Sequence, residues 1–514
     1  MRTKNSLKNI IVGVFSQLLI VAIGFVSRKV FINVLGVEML GVNGLLTSII
    51  SMLSLTELGI GTAIVYNLYK PLAEDDREKI VALVQFFKKT YKIIAGIVLL
   101  LGLAIAPFLK VFIKEDINSG LLVAIFFLFL TDTIITYLMA HKRSLISADQ
   151  KRYVVSYVYT IASVLVSASQ ITILLLTGNF ILFLSVRVLI RITENIVLSK
   201  IVDKRYPFIK TKKRFDLDTK IKDNIVTNTK ALSLHVLGRY LINGTDNIII
   251  SRFIGLGFVG LYSNYFLIIN TVTAFTNQFA SGVLASFGNM IAVETNDKSH
   301  SVFKKANFLN YIIINFASVS MLCLFNPFIS MWIGRDVLLS FSVVAVLALN
   351  FYIKGTSSVL GAVRSTAGVF RPDRYLHLIL AALNLIISIS LAKVIGIVGV
   401  FIGTLICYII KEILVLPRIV YNNIFKSSVK QYYLEYARFL ATTLVSAGLT
   451  LLICNYFIVG DGWGLVAAKL AACIVIPNAV VFMVFRKTEE VKFAWVYIKE
   501  FLNKYKKGAA DESR

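Results

Sequence analysis

Hydrophobic positions in this chain come in long, nearly unbroken runs separated by brief polar breaks, rather than in short amphipathic stripes. A helix that crosses a bilayer takes about 20 apolar residues, and a run of that length with few charges is its signature. Run length and charged breaks give fourteen such stretches, at residues 8–33, 38–68, 90–113, 118–140, 153–177, 179–200, 228–253, 258–292, 305–332, 337–362, 375–395, 397–417, 433–458 and 463–485. Several are longer than a perpendicular crossing needs, which predicts tilt or overhang. The fifth and sixth are joined by little more than Gly178-Asn179. The pattern predicts an all-α polytopic membrane protein of about 14 transmembrane helices.

Lys and Arg set the orientation of such a chain. With the N-terminus in the cytoplasm, 40 of the 54 Lys and Arg fall in inside segments. Five (Lys110, Lys114, Arg252, Arg335 and Lys393) fall in outside turns, and nine lie within spans. Both termini are therefore expected in the cytoplasm. The longest inside linker, 201–227, carries Lys204, Arg205, Lys210, Lys212, Lys213 and Arg214 and reads as a solvated segment facing lipid headgroups. The expected organisation is an N-lobe at 1–200 holding helices 1–6, this basic linker, and a C-lobe at 228–420 holding helices 7–12. Helices 13 and 14 follow at 430–486, and a basic cytoplasmic tail at 487–514.

Composition agrees. Apolar types make up 57% and charged types 16%, against about 45–50% and about 25% in soluble chains. That excludes a soluble enzyme, a secreted disulfide scaffold and a membrane anchor with a large appended domain. The net charge of +26 would suggest nucleic acid in a soluble chain. Here the cations fall between apolar runs, so they report topology, and no nucleic-acid partner is expected. Cys323, Cys407, Cys454 and Cys473 all lie in apolar segments without zinc-like spacing and are expected as free thiols. Arg2, Lys4 and Lys8 ahead of an apolar run imitate a signal peptide, but no small-residue cleavage site follows, and the run reads as the first spanning helix.

The chain also repeats itself. Leu35-Gly36 with Leu40-Gly41 matches Ile254-Gly255 with Val259-Gly260 at an offset of 219. Pro107-Phe108-Leu109 matches Pro327-Phe328-Ile329 at 220, Arg143-Ser144 matches Arg364-Ser365 at 221, and Arg152-Tyr153 matches Arg374-Tyr375 at 222. Matches in order with a steadily drifting offset describe two copies of one six-helix unit. Because six is even, both copies share an orientation, and their pseudo-axis is expected along the membrane normal. The fold class is thus two pseudo-symmetric six-helix lobes plus two C-terminal helices. The default site is the cleft between lobes.

Ionisable groups inside spans are costly and mark cavities or partners. On helix 6, Arg187, Arg191 and Glu194 share one helical face, with Arg191 near mid-span. On helix 7, Asn228, His235, Arg239 and Asp246 form another stripe, and on helix 1 Gln17, Gly24 and Arg28 share a face. Glu57, Asp132 and Lys354 are single central charges. One reading is a wet cationic cleft in which Arg28, Arg187, Arg191, Arg239 and Lys354 hold an anionic substrate, since an arginine fork grips phosphate bidentately. The other is structural pairing, Arg191 with Glu194 and Arg239 with Asp246, with Arg28 and Lys29 snorkelling outward. Glu57, Asp132, Glu194 and Asp246 are candidates for ion coupling or for such pairing. His235 reads as a helix-packing residue, and Lys411-Glu412 and Lys469 as interfacial. The chain has no G-x-x-x-x-G-K-[ST] phosphate loop, no dinucleotide fingerprint and no His/Cys cluster with metal spacing. No outside loop is long enough to house a glycosyl-transfer or polymerising site.

The helix 2 segment Thr56-Glu57-Leu58-Gly59-Ile60-Gly61-Thr62-Ala63 running to Tyr69-Lys70, the two Leu/Ile-Gly motifs, and Gly260-Leu261-Tyr262 resemble the multidrug/oligosaccharidyl-lipid/polysaccharide exporter superfamily, and within it the Wzx-type polysaccharide flippases. The 6 + 6 + 2 plan agrees over essentially the whole chain. The resemblance implies an inverted-V, two-lobed transporter with alternating access. It would move a polyprenyl-pyrophosphate-linked oligosaccharide across the bacterial cytoplasmic membrane without being an enzyme, in contact with membrane lipids and beside a polysaccharide polymerase and glycosyltransferases. It implies a cationic central cavity lined by an arginine on helix 1, for which Arg28 is the match, and a groove for the lipid tail on helices 13 and 14. No cofactor is implied beyond a coupling proton or sodium ion. Lipid II flippases of the superfamily place an arginine on helix 8, and 258–292 has no Arg or Lys. Drug exporters have twelve helices and acidic cavities, unlike this chain. A teichoic acid precursor remains an alternative substrate, and a non-transporting scaffold of a polysaccharide assembly complex is the alternative from another class.

Overall fold

The structure, a computed structural model, describes residues 2–57, 60–213, 215–217, 219, 222–223, 225, 244–293, 296–369, 372–373 and 375–492. Every regular element among them is helical. The helices are α1 (Arg2–Leu53), α2 (Ile60–Glu74), α3 (Arg77–Ile105), α4 (Ser119–Leu138), α5 (Ala140–Ala148), α6 (Arg152–Thr177), α7 (Phe180–Arg205), α8 (Asp246–Phe253), α9 (Leu256–Val293), α10 (Asn296–Ile333), α11 (Phe341–Thr356), α12 (Ser358–Thr366), α13 (Leu376–Ile395), α14 (Ile397–Tyr408), α15 (Lys430–Tyr456) and α16 (Trp463–Phe485). After α14 the chain continues through π and α turns to Phe425. Eleven stretches among the described residues are long and apolar enough to cross a membrane. The 26-residue α7 is a further long helix, made less apolar by Arg187, Arg191 and Glu194. The protein is a multi-pass, all-helical membrane protein.

Polar residues at the helix ends explain several boundaries. Asn118 Oδ1 accepts from the backbone N–H groups of Gly120 and Leu121 at 2.8 and 3.3 Å, capping α4. Asn179 does the same for α7 through Ile181 and Leu182 at 2.9 and 3.1 Å. Just before it, Gly178 ends α6 in a left-handed conformation that favours glycine (φ 60°). These caps satisfy backbone donors that neither helix nor lipid would satisfy.

Several spans differ from the sequence reading. The expected third span starts earlier, at Arg77, where Asp76 caps α3. It ends in 3-10 turns from Ala106, because Pro107 cannot continue the α ladder. The expected span 38–68 is not continuous. Helix α1 passes through Gly36, which alone breaks its helical geometry (φ 81°, ψ 174°), and runs on to Leu53. A 3-10 turn at Ser54–Glu57 follows before α2 begins. The hydroxyls of Thr47, Ser51 and Ser54 each bond back to the carbonyl four residues earlier, at 2.7 to 2.9 Å. Such back-bonding competes with the helical ladder and bends it.

The chain forms two compact units. The first contains Met1–Ser263 with His377–Leu385, and the second Asn264–Leu376 with Ile386–Arg514. In the first, α1 packs on α6, α6 on α7, α7 on α4, and α4 on α3. In the second, α10 is central, packing on α11, α15 and α16. Its core includes stacked Tyr311 and Phe439, with ring centroids 4.1 Å apart. All four cysteines are free and buried. The thiols of Cys323, Cys454 and Cys473 lie within 4.8 Å of one another in an apolar setting, a convergence of three helices invisible to sequence spacing.

The repeated Gly motifs have matching roles within the first unit. Gly36 and its counterpart Gly255 both have positive φ, 81° and 143°. At Gly41 an added Cβ would press on the backbone carbonyl of Leu256, its carbon 2.7 Å away, and at Gly260 on that of Val37, its carbon 3.0 Å away. Under the 219 offset Val37 corresponds to Leu256 and Gly41 to Gly260. The crossing is therefore reciprocal, each copy's glycine receiving the other's carbonyl, as in an isologous interface.

Candidate functional site

The charges predicted on helix 6 are the centre of a buried cluster in the first unit. Helical phase brings Arg187, Arg191 and Glu194 to one face of α7, and α7 packs that face on α4, which supplies Asp132. Arg187 Nη2 lies 2.9 Å from Asp132 Oδ2. Arg191 bridges both carboxylates, with Nε 3.2 Å from Asp132 Oδ1 and Nη1 2.6 Å from Glu194 Oε2. A third arginine, Arg143 on α5, closes the set: its Nη2 donates to Glu194 Oε1 and to Asn195 Oδ1, both at 2.8 Å. Aromatic faces flank the arginines, Phe129 under Arg187 and Tyr159 under Arg191, each just under 6 Å from the guanidinium carbon.

Charge accounting gives this cluster its chemistry. The Glu194 side chain is 2% exposed and that of Asp132 11%, whereas those of Arg143, Arg187 and Arg191 are 22%, 35% and 20% exposed. The carboxylates form the base, the guanidinium groups face outward, and three cations stand over two anions. Each carboxylate has one arginine of its own, Asp132 with Arg187 and Glu194 with Arg143, so Arg191 is the cation in excess. Arg143 Nε is buried without a hydrogen-bond partner. Arg143 also reaches a neighbouring cleft of about 300 Å³ lined by Glu57, Tyr91, Tyr137, Ser144 and Ser147. There the Tyr91 hydroxyl donates to Glu57 Oε1 at 3.2 Å.

The other predicted residues are placed as follows. On α1, Phe31 packs against Phe180 and Phe183 with centroids 5.5 and 5.3 Å apart. Arg28, one turn before Phe31, is therefore at about the depth of Arg187, one turn after Phe183. Its Nη1 is buried without a hydrogen-bond partner, so Arg28 is neither paired there nor snorkelled fully into water. Asp132 is not the lone charge expected from the sequence, since it holds two arginines. Glu57 is not mid-helix but in the 3-10 turn ahead of α2. Lys354 lies midway along Phe341–Thr366, a stretch long and apolar enough to span, two residues before α11 ends at Thr356. It is exposed, with its ammonium 5.5 Å from the Tyr408 ring centroid. Asp246 is buried at the start of α8. Its expected partner Arg239, with Asn228 and His235, lies outside the described residues.

Arg143 is the residue that sequence reasoning missed. It falls between spans and was counted as an inside-loop cation. Its signal was the repeat, where Arg143 matches Arg364. The two have diverged: Arg364 is buried in a local pair with Asp373 and donates through Nε to the Val369 carbonyl at 2.9 Å, while Arg143 joins the cluster.

Residues 6–285, more than half of the chain, match the family described as polysaccharide biosynthesis protein. The chain belongs to that family. No curated protein matches it. Among solved structures it is similar to the lipid II flippase MurJ in an inward closed conformation, at 13% identity, over 93% of this chain and 98% of that one, with a TM-score of 0.67. It is also similar to an inward-facing multidrug resistance MATE family transporter of the MOP superfamily (16% identity, 80% and 96% coverage, TM-score 0.58). The Vibrio cholerae MATE transporter VcmN is a third (14%, 83% and 99%, 0.55). At these identities the likeness shows the fold, which is that of the multidrug/oligosaccharidyl-lipid/polysaccharide superfamily, and Wzx-type flippases fit the family matched.

Proposed function

We propose that the protein is a flippase that carries a polyprenyl-pyrophosphate-linked oligosaccharide from the inner to the outer leaflet of the bacterial cytoplasmic membrane by alternating access, with both termini in the cytoplasm. Its action is transport and not catalysis. The observation that carries this reading is the cluster of three arginines over two buried carboxylates, built on the long helices α4 and α7 and on the short α5 that follows α4. A pyrophosphate cannot enter hydrocarbon uncompensated. An arginine set with an excess charge, oriented by carboxylates beneath it, is a preorganised receiver for such a group. The sugar travels with the head in water, while the polyprenyl tail never leaves lipid. Arg28, at similar depth with an unsatisfied nitrogen, adds a second cation to the path. Glu57, held by a tyrosine hydroxyl, and Asp246, buried at the start of α8, are our candidates to carry a coupling proton or sodium ion, since Asp132 and Glu194 hold arginines. Polysaccharide polymerase and glycosyltransferases are its expected partners.

The test is polysaccharide export in cells carrying Arg191→Ala. Each carboxylate retains an arginine, so the protein should reach the membrane at normal levels while export fails. Arg191→Lys should keep part of the activity, since the charge remains and the fork is lost. Asp132→Asn, which strips Arg187 and Arg191 of their shared carboxylate, should instead lower the amount of protein in the membrane. Normal export by Arg191→Ala, as a scaffold would give, overturns the reading.

A further inference from the structure

A charged cavity in the first unit is separate from the arginine cluster. It is about 990 Å³ and lies where the N-terminal half of α3, the start of α5, the end of α7 and the basic linker meet. Seven lysines line it, among them Lys88, Lys89, Lys92 and Lys212, against two aspartates, Asp203 and Asp216. Lys142 is neutralised by Asp203 at 2.6 Å, and the remaining six form no ion pair among the described residues. The positive-inside rule accounts for lysines near the cytoplasmic ends of spans. It does not account for their convergence around one cavity.

Two further observations show a built site. The Gln85 side chain pins the linker in place: its Nε2 donates to the Lys213 carbonyl at 2.8 Å and its Oε1 accepts from the Phe215 N–H at 3.4 Å. His141, 4% exposed, lines the cavity, and its Nδ1 is buried without a hydrogen-bond partner. Burial, then the charges of Lys142 and Lys88, hold this imidazole down to about 4, so it is neutral at pH 7 and senses the positive field. With its proton on Nδ1, this imidazole would present a donor to a phosphate oxygen at the wall of the lysine-lined cavity.

We propose that this cavity binds a phosphate-bearing group on the cytoplasmic side, supplied either by the headgroup of an anionic membrane lipid or by free pyrophosphate. Basic pockets among the cytoplasmic ends of spanning helices suit lipid headgroups, and the volume suits a small ligand. The proposal rests on these residues alone and not on the flippase reading. Its failure would leave the arginine cluster untouched.

The full chain would be placed in neutral phosphatidylcholine nanodiscs and titrated with inorganic pyrophosphate by calorimetry. In a second arm, retention of phosphatidylglycerol from mixed discs would be read by native mass spectrometry. Lys88→Gln/Lys92→Gln should weaken binding by about tenfold or more, and the charge-matched Lys110→Gln/Lys114→Gln, in the turns beyond the far end of α3, should not. Lys212→Gln/Lys222→Gln, on the linker side, serves as an independent variant should the first not fold. Loss confined to the pyrophosphate arm assigns the site to a free phosphate compound, and loss confined to the lipid arm assigns it to a headgroup. Absence of saturable binding in both arms, or equal loss from the control pair, overturns the proposal.

Discussion

The reciprocal crossing of Gly41 and Gly260 gives the prediction with the clearest magnitude. Alanine at Gly41 would bring Cβ to 2.7 Å from the carbonyl carbon of Leu256, and alanine at Gly260 would bring it to 2.7 Å from Val37 Cγ1 and 3.0 Å from its carbonyl carbon. Carbon atoms pack best at about 3.5–4.0 Å, and the carbonyl oxygens lie nearer still, so the two segments must separate by more than about 0.8 Å. The obstruction is backbone, which cannot rotate aside. Overpacking costs about 1–3 kcal/mol and occasionally more, and a backbone obstruction belongs at the upper end, about 3 kcal/mol for each variant. The two substitutions act on one crossing, and separation forced by the first leaves room for the second. The double variant should therefore cost about 1–2 kcal/mol less than the sum of the singles. Gly96→Ala on α3, where an added Cβ meets nothing within 4 Å, is the control and should be neutral or stabilising by up to about 1 kcal/mol. Equilibrium unfolding of the purified protein in mixed micelles measures all four. Single variants that match Gly96→Ala, or a strictly additive double, would refute the reciprocal packing.

Further outcomes are expected elsewhere. Cysteine placed at Asn179 should react with an impermeant reagent added to sealed cells, and cysteine at Lys212 should not; the reverse result overturns the orientation. Exchanging the charges of the Arg187–Asp132 pair by the double variant Arg187→Asp/Asp132→Arg should restore more protein to the membrane than either single variant, because removing one member of a buried pair costs about 3–5 kcal/mol; failure to recover argues that the pair does not form. His141 has its folded pKa depressed to about 4, below about 6.5 in the unfolded chain. The unfolded state thus binds more protons between those values, and stability should fall as pH drops through that window by up to about 3 kcal/mol. In unfolding measured from pH 7 to 4, His141→Gln should flatten the slope; an unchanged slope would assign it to other groups.

The sequence was most legible where lipid is the solvent. Long apolar runs permit few alternatives to spanning helices, and the Gly178-Asn179 turn separates α6 from α7 within a residue or two of its expected place. The helical phase of Arg187, Arg191 and Glu194 was legible too, because three residues on one helix need no tertiary information. Their partners were not. Asp132 and Arg143 come from α4 and α5, and only packing shows that three arginines share two carboxylates. The break at Ser54–Glu57 escaped because serine, threonine and short apolar stretches do not interrupt hydropathy, though they bend a helix. The convergence of Cys323, Cys454 and Cys473 escaped for the same reason as Asp132: neighbours in space are distant along the chain. The repeat carried more than fold, since Gly41 and Gly260 mark a contact and Arg143 a member of the site.

Flipping itself is the most direct test of the central claim. The purified protein would be reconstituted into liposomes with a polyprenyl-pyrophosphate-linked oligosaccharide labelled in its sugar, and the fraction of sugar reaching the far leaflet would be read by its protection from an added impermeant glycosidase. The account predicts time-dependent equilibration by the wild-type protein, loss with Arg191→Ala, and no equilibration in protein-free liposomes. Equilibration by Arg191→Ala at the wild-type rate, or none by the wild-type protein with this substrate when lipid II or a cationic drug does cross, would contradict it.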